Sequence, residues 1–181
     1  MKAFVFLANG FEEVEAITPI DLLRRADINV TTVSISENKE VIGAHNVSFI
    51  ADVLINEADD FSSADLLLLP GGMPGTNNLN ACEELKRLIK KHVLESKLIA
   101  AICAAPIILG QMSLLEGEKA VCYPSFENQL LGADVQYNKV QKSNNIITAR
   151  GAGCAIEFSL AIIEALCGKS KSDEIAKSII F

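Results

Sequence analysis

Lys97-Leu98-Ile99-Ala100-Ala101-Ile102-Cys103-Ala104-Ala105-Pro106 opens as an unbroken apolar run of strand length, stops at a cysteine, and passes through two alanines into a proline. A short apolar run without alternation marks a strand buried on both faces. Proline is at home in the first turn of a helix, and apolar residues continue at helical spacing through residues 105–115. The segment is therefore a strand-to-helix joint. The same unit recurs on either side of it. Short apolar runs occupy 2–8, 29–35, 65–69, 97–102, 119–122 and 145–148, and stretches with three-to-four spacing fill 14–26, 82–94, 105–115 and 154–166. Strand and helix alternating through one chain predict an α/β fold: a doubly wound, mostly parallel sheet with helices on both faces. Short hairpins are expected at 47–55 and 135–140, and a terminal helix over 169–181. With no linker, repeat or shift of composition, residues 1–181 are expected to form one domain.

Composition narrows the function. Half of the residues are hydrophobic and 22% are charged, which excludes a disordered chain. Lys and Arg number 16 against 23 Asp and Glu, a net charge of -7, and the basic residues form no run longer than a pair. Nucleic acid and anionic membrane are disfavoured as partners. The first apolar run breaks at Asn9-Gly10 and meets Glu12-Glu13, too soon for a signal segment and far short of the roughly 20 residues of a spanning helix. A cytoplasmic protein is expected. Cys82, Cys103, Cys122, Cys154 and Cys167 are odd in number and scattered, with no CxxC pair, so neither a disulfide framework nor a metal site is expected.

In open parallel sheets the ligand site lies beyond the carboxyl ends of the strands, and four loops there carry chemistry. At the joint just quoted, Cys103 has the outline of a nucleophile elbow, where helix NH groups favour thiolate and the flanking alanines leave room beside the sulfur. A buried structural cysteine explains the same position. Leu69-Pro70-Gly71-Gly72-Met73-Pro74-Gly75 pairs glycines after a strand, which suits either an oxyanion hole or an ordinary turn. In Asn9-Gly10-Phe11-Glu12-Glu13-Val14-Glu15-Ala16, Glu12 and Glu13 suit the helix dipole. Glu15 has the reach to turn toward the sheet mouth and donate a hydrogen bond to a thiolate, although a solvated helix face is the commoner place for such a residue. Thr148-Ala149-Arg150-Gly151-Ala152-Gly153-Cys154 is a rim or anion-binding candidate and equally a glycine-rich turn. There is no GxGxxG or P-loop lysine pattern to support nucleotide binding.

These loops, with Arg24-Arg25-Ala26 and Glu157-Phe158, together resemble the ThiJ/PfpI superfamily, and within it the Parkinson-disease-protein (DJ-one) branch of deglycase and glyoxalase-like proteins, from Ala3 to about Gly168. The resemblance implies a flavodoxin-like fold and a homodimer. It implies that Cys103 is the nucleophile, that Glu15 is the protonated carboxyl on its sulfur, and that the NH groups of Gly72 and Ala104 form the oxyanion hole. Where relatives with a Cys-His pair carry histidine, this chain has Cys122-Tyr123-Pro124. A phenol, titrating near 10, is no base at neutral pH, which argues against a Cys-His-acid protease. Tyr123, His45 and Arg150 are secondary candidates, His45 because its loop approaches the partner's site in the family. His92, among Lys90, Lys91 and Glu95, is expected on a solvated helix face. The expected activity is that of a cofactor-free glyoxalase or deglycase acting on 2-oxoaldehydes such as methylglyoxal and on their adducts with thiols or amines. The alternative is a non-enzymatic redox sensor or chaperone with an oxidisable Cys103.

Overall fold

Side chains alternate across a strand, and the first strand shows what that alternation builds. In β1 (Lys2–Leu7), Ala3, Val5 and Leu7 face one layer of the core while Phe4 and Phe6 face the other. The structure, a computed structural model, describes residues 1–57 and 61–181. After β1 come α1 (Glu13–Arg25), β2 (Asn29–Ser34), β3 (Glu40–Ile42), β4 (Ser48–Ile50), β5 (Val53–Leu54), β6 (Leu66–Leu69), α2 (Gly75–Ala81), α3 (Glu83–Leu94) and β7 (Leu98–Ile102). The chain continues through α4 (Pro106–Gln111), β8 (Lys119–Ala120), β9 (Asp134–Val135), β10 (Val140–Ser143), β11 (Ile146–Ala149), α5 (Ala155–Cys167) and α6 (Lys169–Ser178). Seven strands form the main sheet in the order β10-β11-β7-β6-β1-β2-β5, parallel throughout except for the β10–β11 pair. This is the doubly wound, flavodoxin-like α/β architecture.

Ala16, Ile20 and Leu23 of α1 and Phe158 and Ile162 of α5 cover one face. Leu85 and Ile89 of α3 and Ile108 of α4 cover the other. Each of these leucine, isoleucine and phenylalanine side chains, fully buried, stabilises the fold by about 1.5–3 kcal/mol. Register then aligns the strand ends: Leu69 pairs with Ala101, and Ile102 with Ala149. The loops leaving β6, β7 and β11 consequently open on one edge. Among the described residues no helix is long and apolar enough to cross a membrane.

Several expected elements fall elsewhere. Residues 119–122 are not a strand of the main sheet; β8 pairs only with β9, in a separate two-stranded sheet. The run peels away because the Val121 N–H donates to Thr148 Oγ1 at 3.0 Å and the Tyr123 N–H to the Cys103 carbonyl at 2.8 Å. No hairpin lies within 47–55. Instead β4 pairs antiparallel with β3 across a turn in which Asn46 adopts φ 63°, and β5 joins β2 at the sheet edge. The second hairpin is β10–β11, turning at Asn144 with φ 49°, rather than 135–140. The helix expected over 105–115 ends at Gln111, and α2 had no counterpart in the periodicity.

His92 does not lie on a solvated helix face. It is 4% exposed, and its Nε2 meets the Leu98 carbonyl at 2.9 Å, tying α3 to β7. Burial holds the imidazole below its ordinary range. The native form is neutral, so this contribution is full above the unfolded value of about 6.5 and is lost as pH falls below it. His92→Ala removes the bond that ties α3 to β7 and empties a buried position, and is expected to cost about 1–3 kcal/mol in urea denaturation at pH 8. A shift within experimental scatter would return His92 to a solvated face.

Candidate active site

Cys103 follows β7 directly, with φ 64°. A non-glycine residue pays about 1–3 kcal/mol for that left-handed conformation. Two backbone bonds hold it there: its N–H donates to the Ala149 carbonyl at 2.8 Å and its carbonyl accepts from the Tyr123 N–H at 2.8 Å. The conformation swings the half-buried sulfur out of the sheet toward the loops after β6 and β1. The backbone N–H groups of Gly72 and Ala104 point at that sulfur. Gly72 needs to be glycine, because its φ is 89° and a methyl there would run into the Glu12 nitrogen. At Gly71 the reason is close approach, since a methyl would stand 2.6 Å from both Cys103 Cβ and Glu15 Oε2.

Glu15 does not lie on a solvated helix face. It is 1% exposed, shares a hydrogen bond with the Cys103 sulfur, and accepts the Gly71 N–H on Oε2 at 3.0 Å. Burial pushes its carboxyl up from 4.5 to about 7, against the hydrogen bonds from Cys103, Gly71 and Ala152. Burial, followed by the Glu15 charge and its hydrogen bond, pushes the Cys103 thiol up to about 12, against the Gly72 and Ala104 N–H groups. The elbow alone does not make an acidic thiol. Carboxyl and thiol titrate as a unit: a first proton leaves near neutrality, and the one that remains lies between oxygen and sulfur. A thiolate beside a protonated Glu15 is one of the two forms of that singly charged pair.

A cavity of about 240 Å³ opens over the sulfur, lined by Glu12, Gly72, Met73, Cys103, Ala104, Tyr123 and Phe126. Four of the expected site residues, Cys103, Glu15, Gly72 and Ala104, therefore meet, and Tyr123 stands at the cavity edge, packed edge-on against Phe126. Arg150 does not reach this cavity; it lines a neighbouring groove. His45 lies on its own chain's acidic loop. Its N–H and Nδ1 meet the Glu13 carboxylate at 2.7 and 2.9 Å, and Glu12 Oε2 is 3.6 Å away. The hydrogen bond to Glu13, then the charges of Glu12 and Glu13, raise His45. Glu12 and Glu13 thus do more than face a helix dipole, which their position in the sequence alone does not show. Glu12, Glu13 and His45 are the one grouping among the described residues with the makings of a cation site, with ligand atoms within 4.8 Å of one another. Glu13 is already engaged by the His45 ring and backbone. Of the other cysteines, Cys122 is buried, and burial pushes its thiol up to about 11.

The geometry defines a class: α/β proteins that carry a thiol on a strained strand-to-helix elbow, with a buried carboxyl on its sulfur. The comparison with known sequences is more specific. The DJ-1/PfpI family model matches residues 1–165, and the chain belongs to that family. Protein DJ-1 homolog B of Arabidopsis thaliana is 38% identical over 181 residues, 99% of this chain and 41% of that protein, so the chain spans less than half of that relative. A Caenorhabditis elegans relative named glutathione-independent glyoxalase DJR-1.2 is 30% identical over 93% of this chain and 89% of its own. Among solved structures, oxidised DJ-1 of Toxoplasma gondii superposes with a TM-score of 0.93 at 38% identity, covering 99% of this chain and 98% of the other.

Proposed function

We propose that the protein is a cysteine-dependent glyoxalase that needs no added cofactor and converts small 2-oxoaldehydes such as methylglyoxal to 2-hydroxy acids. The observation that carries this is the Cys103 sulfur held between the Glu15 carboxyl and two N–H groups. The thiolate adds to the aldehyde carbon, and the new oxyanion takes hydrogen bonds from Gly72 and Ala104 and then the Glu15 proton. Glu15, now ionised, removes the proton on the former aldehyde carbon and returns it to the adjacent carbon, while the hydroxyl proton passes to the neighbouring oxygen, leaving a 2-hydroxyacyl thioester. Water cleaves the thioester, releasing the hydroxy acid and restoring the thiol. One carboxyl alternating between base and acid suffices, so Tyr123 is not required to act as a base. The same nucleophile acting on thiol or amine adducts would give deglycase activity. The name of the Caenorhabditis elegans relative supports the reaction class. Formation of lactate from methylglyoxal by the purified chain, without added thiol, tests it.

A second reading has one observation in its favour: a relative superposing this well is described as oxidised. A half-buried Cys103 that reaches sulfinic acid under mild peroxide, in a protein inert toward methylglyoxal, would make redox sensing or a chaperone role the function. A cytoplasmic setting belongs to both, and free thiols fit it.

We also propose a homodimer. On α1, Val14 and Ile17 are 49% and 41% exposed, and the β3–β4 hairpin exposes Ile42, Val47 and Ile50. Burial of such an apolar face is a usual basis of association. Sedimentation at micromolar concentration is expected to show twice the mass of the 19.5 kDa chain; a single species at the chain mass would remove the dimer.

A further inference from the structure

The Cys103 cavity does not end at Tyr123. Tyr123 also lines a groove of about 460 Å³, whose walls include Tyr137, Lys139, Arg150, Gly151 and Cys154. Tyr123 is thus shared by both spaces. A three-carbon aldehyde has no use for the second one. The groove is apolar in its walls and cationic at its rim. Tyr123 and Tyr137 are 49% and 70% exposed, and Gly151 lies where a methyl would just touch the Tyr123 ring, at 3.4 Å. Lys139 is spent on Glu157 at 2.6 Å. Arg150 is not spent: among the described residues it makes no ion pair, and its Nη1 reaches only the Tyr137 carbonyl, at 3.4 Å. An uncommitted guanidinium beside aromatic walls, in a chain of net charge -7, is a local exception that suits a carboxylate.

We propose that this groove is a subsite for the carboxylate-bearing portion of the substrate, so that the preferred substrates are 2-oxoaldehyde adducts of small anionic thiols or amines. Arg150 takes the carboxylate, the tyrosine rings cover the apolar spacer, and the 1-hydroxy-2-oxoalkyl head reaches Cys103 past Tyr123, where the hydroxyl proton passes to the departing thiol or amine and the freed aldehyde carbon takes the Cys103 sulfur. This rests on the glyoxalase and deglycase reading of Cys103 for its chemistry, though not for its binding.

Two measurements separate the subsite from that reading. The first needs no turnover. Cys154 lines the groove, so 3-phenylpropionate is expected to slow its alkylation by iodoacetamide, read by peptide mass spectrometry, whereas the neutral 3-phenyl-1-propanol is not. Arg150→Met is expected to weaken protection about tenfold, the loss of a charge-assisted hydrogen bond, with Arg150→Lys retaining part of it. Equal protection by the acid and the alcohol, or protection untouched in Arg150→Met, overturns the proposal. The second measurement compares kcat/KM for methylglyoxal equilibrated with 3-mercaptopropionate or with 2-mercaptoethanol. The wild-type preference for the anionic adduct is expected to fall about tenfold in Arg150→Met; an unchanged preference overturns the subsite. Absence of turnover with either adduct, alongside intact Cys154 protection, would remove the glyoxalase reading and leave the anion subsite standing.

Discussion

Cys103→Ala is expected to abolish conversion of methylglyoxal to lactate while leaving the folded state intact. The sulfur is the only nucleophile in the 240 Å³ cavity over the elbow that is also met by two N–H donors and a buried carboxyl. Without it no covalent adduct forms, and an oxyanion hole has nothing to stabilise. Alanine keeps the β-carbon and therefore the backbone strain at φ 64°, so stability in urea is expected to stay within about 1 kcal/mol. Cys103→Gly is expected to be equally inactive yet more stable than Cys103→Ala by about 1 kcal/mol, because glycine adopts that φ freely. Full activity in Cys103→Ala would sink the mechanism.

Replacing Glu15 separates catalysis from stability. Loss of the proton carrier in Glu15→Ala is expected to lower kcat by about 100- to 10,000-fold. In the wild type, kcat/KM is expected to rise with pH through about 7, where the pair sheds its first proton. Glu15→Gln removes the group that titrates there, so the rising limb is expected to move to higher pH. Stability runs the other way. The folded state holds the Glu15 proton more tightly than the unfolded chain does, so the stabilisation is complete below 4.5 and is lost as pH rises through about 7. The gap corresponds to about 3 kcal/mol at alkaline pH. Glu15→Gln, which keeps an acceptor for the Gly71 N–H, is expected to recover much of it in denaturation at pH 8. A variant less stable at pH 8 than at pH 5, like the wild type, would show that Glu15 is not the strained group.

The parts of this site that were legible in the sequence share one property: they are local. Cys103 announces itself because a five-residue apolar strand runs straight into Pro106, and the Gly71-Gly72 pair because it follows four leucines. Glu15 was the harder residue. Whether it meets a sulfur 88 residues away depends on β1, β6 and β7 lying side by side, and strand order is not written in any one strand. Residues 119–122 have a strand's composition, but the Val121 N–H finds the Thr148 hydroxyl instead of a neighbouring strand, a competition no local pattern reveals. His92 is different again. Leu85, Ile89 and His92 fall at helical spacing on one stripe, so its burial was legible; the charged residues around it, Lys90, Lys91 and Glu95, drew attention to the wrong face.

The sheet separates two apolar layers, and the candidate site borrows from both. Glu15 rides on α1, which packs with α5, whereas the helix that follows Ala104 belongs to the layer of α3. Turnover is thus a report on whether both layers have docked. In a refolding experiment, helical circular dichroism is expected to return ahead of lactate production, since helices form within either half whereas the Glu15–Cys103 contact requires the two halves to agree. Heat or mild denaturant is expected to end the proposed turnover at the first loosening of either layer, well before the chain as a whole unfolds.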